Sequence, residues 1–431
     1  MDEITDDMKY YLKNMQFSRS NVRISPLSSS SGVGLGDSIV FRLPSNSLID
    51  LSTFGIMFDM TATDNSGSAH FGRGSHNLIR SSQLSIAGNT IINQNNFGRA
   101  YSAMHLLTSS NDSNASKQFL CYDTDLQAVD VSGTTSAMGQ VHMAWLDFPC
   151  LNWSTKITDT SLYGGQIELT IQLHSNAAEA GLITGGAGAV TLSLDNISAR
   201  IDIINTDPMY RQVLQESLNS GASLQVAIPN YFTFESSHSD QAMASTFSIS
   251  SQSVDALLVC PHLSSKTTNT ATAGAQLSEL DKSPYRTHPA GRFNGKRIDT
   301  LTVDINGQQI LSNMQQKEFM YHQLTNMAIK GGIAANALSQ VARKSNTAGG
   351  FEADALSDYI GQGFVVPVRF DHGNDIRVLS GLNGSASNGI QISVNTTLVS
   401  GGTATPSKLL TVCLCKSVLT VSAGGVISFQ A

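Results

Sequence analysis

Cys413 and Cys415 stand two residues apart in an apolar run, and Cys260-Pro261-His262 lies some 150 positions earlier. Thiolates and an imidazole are the ligand types that hold zinc, and two cysteines on one face of a strand could supply half of a tetrahedral site. The spacing matches no zinc module, because no pair of Cys-x-x-Cys clusters exists, and isolated cysteines on strands ordinarily act as small buried apolar residues. The ten histidines are scattered singly. Asp123 and Asp125 carry the oxygen donors that calcium needs, but no glycine and no bidentate acid follow at loop spacing. Gly291 to Arg297 reads GRFNGKR, a P-loop fragment one residue short between its glycines, without the Ser or Thr after the lysine, and placed before a strand instead of a helix. Gly32, Gly34 and Gly36 likewise precede the strand-like Ser38 to Leu43. There is no Gly-x-Ser-x-Gly elbow and no His-Glu-x-x-His. The expectation is a chain with no catalytic, cofactor-binding or metal site.

Composition narrows the classes further. The 431 residues are 41% apolar, enough for real cores, and only 14% charged, so neutral polar side chains fill the surface, as expected for many strands joined by Ser, Thr, Asn and Gly loops. A net charge of −7 with no Lys/Arg run argues against direct nucleic-acid binding, which needs a clustered basic surface to displace counterions. No apolar stretch reaches the length of a membrane span, and the acidic N-terminus does not read as a signal peptide. Five cysteines in a chain of this length make no disulfide framework, so they are expected reduced and mostly buried. The sequons at Asn111, Asn114, Asn152, Asn196, Asn383 and Asn395 would matter only in a secreted protein.

The elements that position these residues are organised around a repeat. IRSSQLSIAGNTI at Ile79 to Ile91 and IDTLTVDINGQQI at Ile298 to Ile310 share isoleucines at both ends, an Ile two residues before a glycine, and the same intervals, at an offset of 298 − 79 = 219 residues. Each alternates apolar and polar side chains and then turns at glycine, the signature of a strand hairpin, and Asn306-Gly307 suits a type I′ turn. A helical patch follows each: Tyr101, Met104 and His105, then Phe319, Met320, Leu324 and Met327. A repeat in register over strand, turn, strand and helix predicts one domain built twice.

Further strands are expected at Thr53 to Met60, Gly164 to His174 and a pair within Val190 to Ile204. In the second half they are expected at Leu224 to Phe234, Phe247 to Ser251, Ala256 to Cys260, Phe364 to Phe370, Gly389 to Leu398 and Leu409 to Phe429. Thr206 to Gly221 predicts a helix with a cap at Thr206 or Asp207, Pro208 in its first turn, an apolar stripe of Tyr210, Val213, Leu214 and Leu218, and a stop at Gly221. Thr108 to Gly139 and Ser264 to Arg292 lack apolar period and are expected as outward loops. Asp2 to Phe17 reads as an amphipathic helix. Its stripe of Ile4, Met8, Leu12 and Met15 needs a partner, which makes these four the candidate assembly contacts.

This order of elements resembles the double jelly-roll major capsid proteins of icosahedral DNA viruses, the group of adenovirus hexon and the tailless membrane-containing phages. The residues carrying the resemblance are SQLSIAGNTI (Ser82 to Ile91), YGGQIELTIQL (Tyr163 to Leu173), ARIDIINTDPMYRQVL (Ala199 to Leu214) and VLSGLNGSASNGIQISV (Val378 to Val394). It implies an all-β chain of two tandem eight-stranded jelly rolls with a few short helices: an arm at 1–20, rolls at 21–207 and 222–431, and a linking helix at 208–221. It also implies a homotrimer forming pseudo-hexagonal capsomers in a virion shell, no enzymatic activity and no cofactor. Its partners would be neighbouring capsomers, minor capsid or penton proteins and, as a candidate, an internal membrane. Two rivals remain: an extracellular tandem β-sandwich lectin or adhesin, for which a signal peptide and disulfides are expected, and a glycan-active jelly-roll enzyme, which needs two convergent carboxylates.

Overall fold

The computed structural model describes residues 18–64, 69–71, 75–108, 129–130, 141–176, 180, 182–184, 190–205, 208–239, 242–263, 298–315, 366–371, 379–384, 389–398 and 407–430. Its first half contains strands β1 (Ser18–Ile24), β2 (Ser38–Arg42), β3 (Leu48–Asp64), β4 (Ala69–Phe71), β5 (Ile79–Ile86) and β6 (Asn89–Asn95). It continues with β7 (Val129–Asp130), β8 (Val141–Leu146), β9 (Ile157–Asp159), β10 (Ile167–Leu173), β11 (Leu182–Thr184) and β12 (Val190–Asn205). The second half contains β13 (Leu224–His238), β14 (Ala242–Ile249), β15 (Ser253–Leu263), β16 (Ile298–Ile305), β17 (Gln308–Gln315), β18 (Val366–Arg369), β19 (Ile390–Leu398), β20 (Ser407–Ser422) and β21 (Val426–Gln430). Helices span Phe97–Thr108 and Pro208–Asn219.

The first half forms the sheets β1-β12-β3-β8 and β2-β10-β5-β6, and the second forms β13-β20-β15-β18 and β14-β19-β16-β17. With the short inserted strands set aside, both halves follow one order: first, eighth, third and sixth strand in one sheet, and second, seventh, fourth and fifth in the other. The pairings within these sheets are antiparallel. This double Greek key is a jelly roll, and the chain is an all-β protein with two of them in tandem.

Alternation places the first roll's core. Strand β10 buries Ile167, Leu169, Ile171 and Leu173 and leaves Glu168, Thr170 and Gln172 part-exposed, so one face meets β3 across the sandwich while the other stays polar. Phe58 and Trp145 lie 4.4 Å apart, and the Trp145 indole donates to the Ser75 carbonyl at 2.9 Å. In the second roll, Phe234 and Phe247 stack at 4.0 Å across the two sheets.

The repeated hairpins share their turn and the bulge next to it. Ala87 and Gly88 have φ of 52° and 79°, Asn306 and Gly307 have 50° and 78°, so both turns are of the two-residue left-handed kind. Each returning strand then bulges by one residue, Ile91 between the pairs Leu84 with Ile92 and Ser85 with Thr90, and Ile310 between Val303 with Leu311 and Asp304 with Gln309.

Two expectations need correction. Val190 to Ile204 lies in one sixteen-residue strand, Val190–Asn205, and forms no pair: where two strands would have to part there is a bulge, with Asn196 at φ 53° and the register against β3 shifting between Asp195 and Ser198. In the linking helix Leu214 and Leu218 pack inward, but Val213 is 41% exposed, because one residue is 100° of rotation and carries it off the buried face. Of the loop expected at Thr108 to Gly139, Val129 and Asp130 pair with Phe71 and His70. The Ser264 to Arg292 loop and the patch at Phe319, Met320, Leu324 and Met327 lie outside the described residues.

Candidate functional site

The residues that could have done chemistry are not brought together. Leu258 and Cys260 face the first roll, whereas Leu257, Val259, Cys413 and Cys415 face the second roll's own core, so Cys260 lies on the opposite side of its sheet from the other two thiols. Burial pushes the thiols of Cys150 and Cys415 up to about 12 and those of Cys260 and Cys413 upward as well, as for small protonated apolar side chains. No cluster of three metal-ligating side chains occurs among the described residues. The glycine loop before β2 has its amides taken by carboxylates of the chain: Gly32 N–H donates to Asp195 Oδ1 of β12 at 2.8 Å and Gly34 N–H to Asp37 Oδ2 at 2.7 Å. Asp123, Asp125, Gly291 to Arg297, and the assembly candidates Ile4, Met8, Leu12 and Met15 lie outside the described residues.

What the chain does assemble is a dry junction between the rolls. The β13-β20-β15-β18 sheet is buried on both faces. Tyr231, Leu258, Cys260, Leu410 and Val412 point away from the second roll's core and merge with the apolar cluster of the first. Against them pack β6, the Phe97–Thr108 helix and the Pro149–Leu151 turn. Full burial of each such aliphatic side chain is worth about 1.5 to 3 kcal/mol, so this layer outweighs the polar contacts around it.

Those polar contacts fix the angle between the rolls. Arg99, buried on the helix, holds Glu235 of β13 at 2.6 Å, and Lys408 of β20 reaches the same carboxylate at 2.5 Å. Asn96 Nδ2 donates to Thr233 Oγ1 at 3.3 Å. Ser154 N–H donates to the Ala227 carbonyl at 2.8 Å, and Ala227 N–H donates back to Ser154 Oγ at 3.0 Å. At Gly164 the two backbones come so close that a Cβ would lie 2.9 Å from the Gly425 carbonyl. The linking helix is tied to the first roll by Arg211, 3.2 Å from Asp159. Near the junction burial, and then the charges of Arg99 and Arg80, lower the His174 pKa to about 4, so this imidazole is neutral at pH 7. The signal for this junction was present in the sequence as the runs ALLVC (Ala256 to Cys260) and LLTVCLC (Leu409 to Cys415), which lack the polar alternation of a one-sided strand.

Fold and junction together define a double jelly roll. No protein-family profile matches the sequence and no curated protein matches it. Among solved structures the chain is similar to PBCV-1 VP54, as fitted into a reconstruction of the virophage Sputnik, at a TM-score of 0.62 and 15% identity over 97% of each chain. It is similar to the Faustovirus major capsid protein at a TM-score of 0.58 and 10% identity, over 95% of this chain and 91% of that one. For the mavirus major capsid protein the values are 0.54 and 12%, over 95% and 90%. The likeness at these identities is one of fold.

Proposed function

We propose that this chain is a major capsid protein, a structural subunit without enzymatic activity that forms homotrimeric pseudo-hexagonal capsomers in an icosahedral virion shell. The observation that carries the reading is that the chain, with both rolls in tandem, aligns with capsid proteins along nearly the whole of each chain. A trimer of such chains presents six similar sandwiches, and the dry junction makes each pair a rigid block that can tile without flexing. In this reading 1–20 is an arm whose last residues, from Ser18, already run in β1 of the first roll, 21–207 and 222–431 are the rolls, and 208–221 links them. The shell contacts neighbouring capsomers and minor or penton proteins, with an internal membrane as a further candidate.

Ile4, Met8, Leu12 and Met15 are assigned to contacts between capsomers or at the capsomer base. The test is mass in solution followed by electron microscopy of assembled particles. A stable species near 3 × 45.9 ≈ 138 kDa supports the reading, and a monomer that cleaves glycans overturns it. Deleting Met1 to Phe17 is expected to leave a folded trimer with a nearly unchanged melting temperature and to impair shell assembly. Normal assembly of that deletion would remove the role assigned to the stripe.

A further inference from the structure

The layer between the rolls is apolar, yet it encloses a short line of polar side chains. Tyr231 of β13 points from the second roll into the first and is 1% exposed. Its neighbours along the strand fix where it enters. The backbone of Ala227 is bonded to Ser154, just past the Pro149–Leu151 turn. Thr233 Oγ1 accepts from Asn96 Nδ2 at 3.3 Å and donates to the Asn95 carbonyl at 3.5 Å, just past Gln94. Alternation puts Ala227, Tyr231 and Thr233 on one face of the strand, so the Tyr231 ring enters between that turn and the end of β6.

The first roll meets it with Ser82, Gln94 and Cys150, each fully buried. Ser82 and Gln94 are partners across β5 and β6, and Ser82 Oγ donates to Gln94 Oε1 at 3.1 Å. The Cys150 thiol is bonded to Ser82, and it lies close enough to Tyr231 to add to the burial that holds the phenol protonated. The hydroxyl proton of Ser82 already goes to Gln94, so Cys150 gives its own to Ser82 Oγ and neither has a donor left. Two groups at the ends of the line are left over. Gln94 Nε2 and the Tyr231 hydroxyl are both enclosed and have no hydrogen-bond partner within the protein. Turning the Gln94 amide over only exchanges which of its two polar atoms is left over.

We propose that an internal water bridges Gln94 Nε2 and the Tyr231 hydroxyl, accepting from the amide and bonding the phenol, so that the two rolls are hydrogen-bonded through it. Leaving two buried polar groups bare costs more than immobilising one water that satisfies both. The two groups supply the polar partners that an internal water needs. The bridge also accounts for a tyrosine in a layer otherwise built of Leu258, Cys260, Leu410 and Val412: the ring fills the layer and the hydroxyl carries the bond. One partner comes from each roll, so the water is enclosed only when the rolls close on one another. The inference concerns the interior of a single chain and does not rest on the capsomer reading.

The experiment is a high-resolution structure of the full chain together with a double-substitution cycle of Tyr231→Phe and Gln94→Leu. Ordered solvent is expected within hydrogen-bond reach of both Tyr231 Oη and Gln94 Nε2. Tyr231→Phe is expected to melt about 2 °C lower than the unsubstituted chain. The same substitution made in the Gln94→Leu background is expected to cost less, because the water has then already lost a partner. A Tyr231→Phe protein that melts at the same or a higher temperature overturns the proposal, since removing a bare buried hydroxyl costs nothing. A map without solvent between the two atoms, or strictly additive substitutions, does the same. Should Gln94→Leu fail to fold, the map and Tyr231→Phe, which keeps the ring and its packing, still decide.

Discussion

Arg99 of the first roll and Glu235 of the second meet at 2.6 Å across the junction, with the guanidinium buried. Glu235 also receives Lys408 of its own sheet at 2.5 Å, so one carboxylate serves cations on both sides. Removing it is expected to cost about 3 kcal/mol, the scale of a broken buried pair. Urea unfolding of Glu235→Ala measures this, and a loss below about 0.5 kcal/mol, the range of ordinary surface substitutions, would show that the apolar layer alone sets the angle.

Gly88, Gly307 and Gly165 separate two reasons for having no side chain. Gly88 and Gly307 hold positive φ with open space around them, so an alanine at either is expected to cost about 1 kcal/mol from backbone strain alone. At Gly165 a Cβ would lie 2.4 Å from the Cβ of Ala87, inside the first hairpin turn, so Gly165→Ala must displace that turn. Melting temperatures should rank Gly165→Ala clearly below the other two, and equal values would contradict the close approach.

His174 gives stability a pH dependence of known sign. Its folded pKa of about 4 lies below the unfolded value of 6.5, so between them the unfolded chain binds the proton that the native chain refuses. Its contribution is complete above about pH 6.5, falls as pH drops toward 4, and then levels off, an effect of about 3 kcal/mol at most. Denaturation midpoints from pH 7 to 4 should show the decline, and His174→Asn should flatten it.

Cys150, Cys260, Cys413 and Cys415 are buried and their thiols are held protonated. At most one thiol of the five in the sequence is expected to react with an aromatic disulfide reagent at pH 8 before unfolding, and all five in denaturant. Rapid labelling of two or more in the native protein would contradict the two-sided burial of β15 and β20.

Much of this architecture was legible because period-two alternation reports burial directly. Ile167 to Leu173 and Ile390 to Val394 declared both their strand and their inward face, and the paired Ile-x-Gly hairpins declared the duplication. Alternation cannot say what covers a strand's second face, so Leu409 to Cys415 read as a strand while its neighbour across the junction stayed hidden. The expected strand pair within Val190 to Ile204 failed where tertiary pairing won: β3 runs alongside far enough to hold the stretch as one strand with a bulge at Asp195 to Ser198. Arg99, Glu235 and His174 carried no signal at all, since a charge buried by a partner more than a hundred residues away looks like any surface charge in the sequence.

The sheet buried on both faces also orders events in time. Its second strand in space, β20, is the last strand of that sheet to leave the ribosome, whereas every described strand of the first roll is already present by Asn205. The first roll can close during synthesis and wait with Ile91, Cys150 and Leu151 uncovered, and β13 then emerges beside a finished surface. The earlier half acts as a mould for the later one. A second roll made alone would expose Leu258, Cys260, Leu410 and Val412 to water, and its route is toward aggregation.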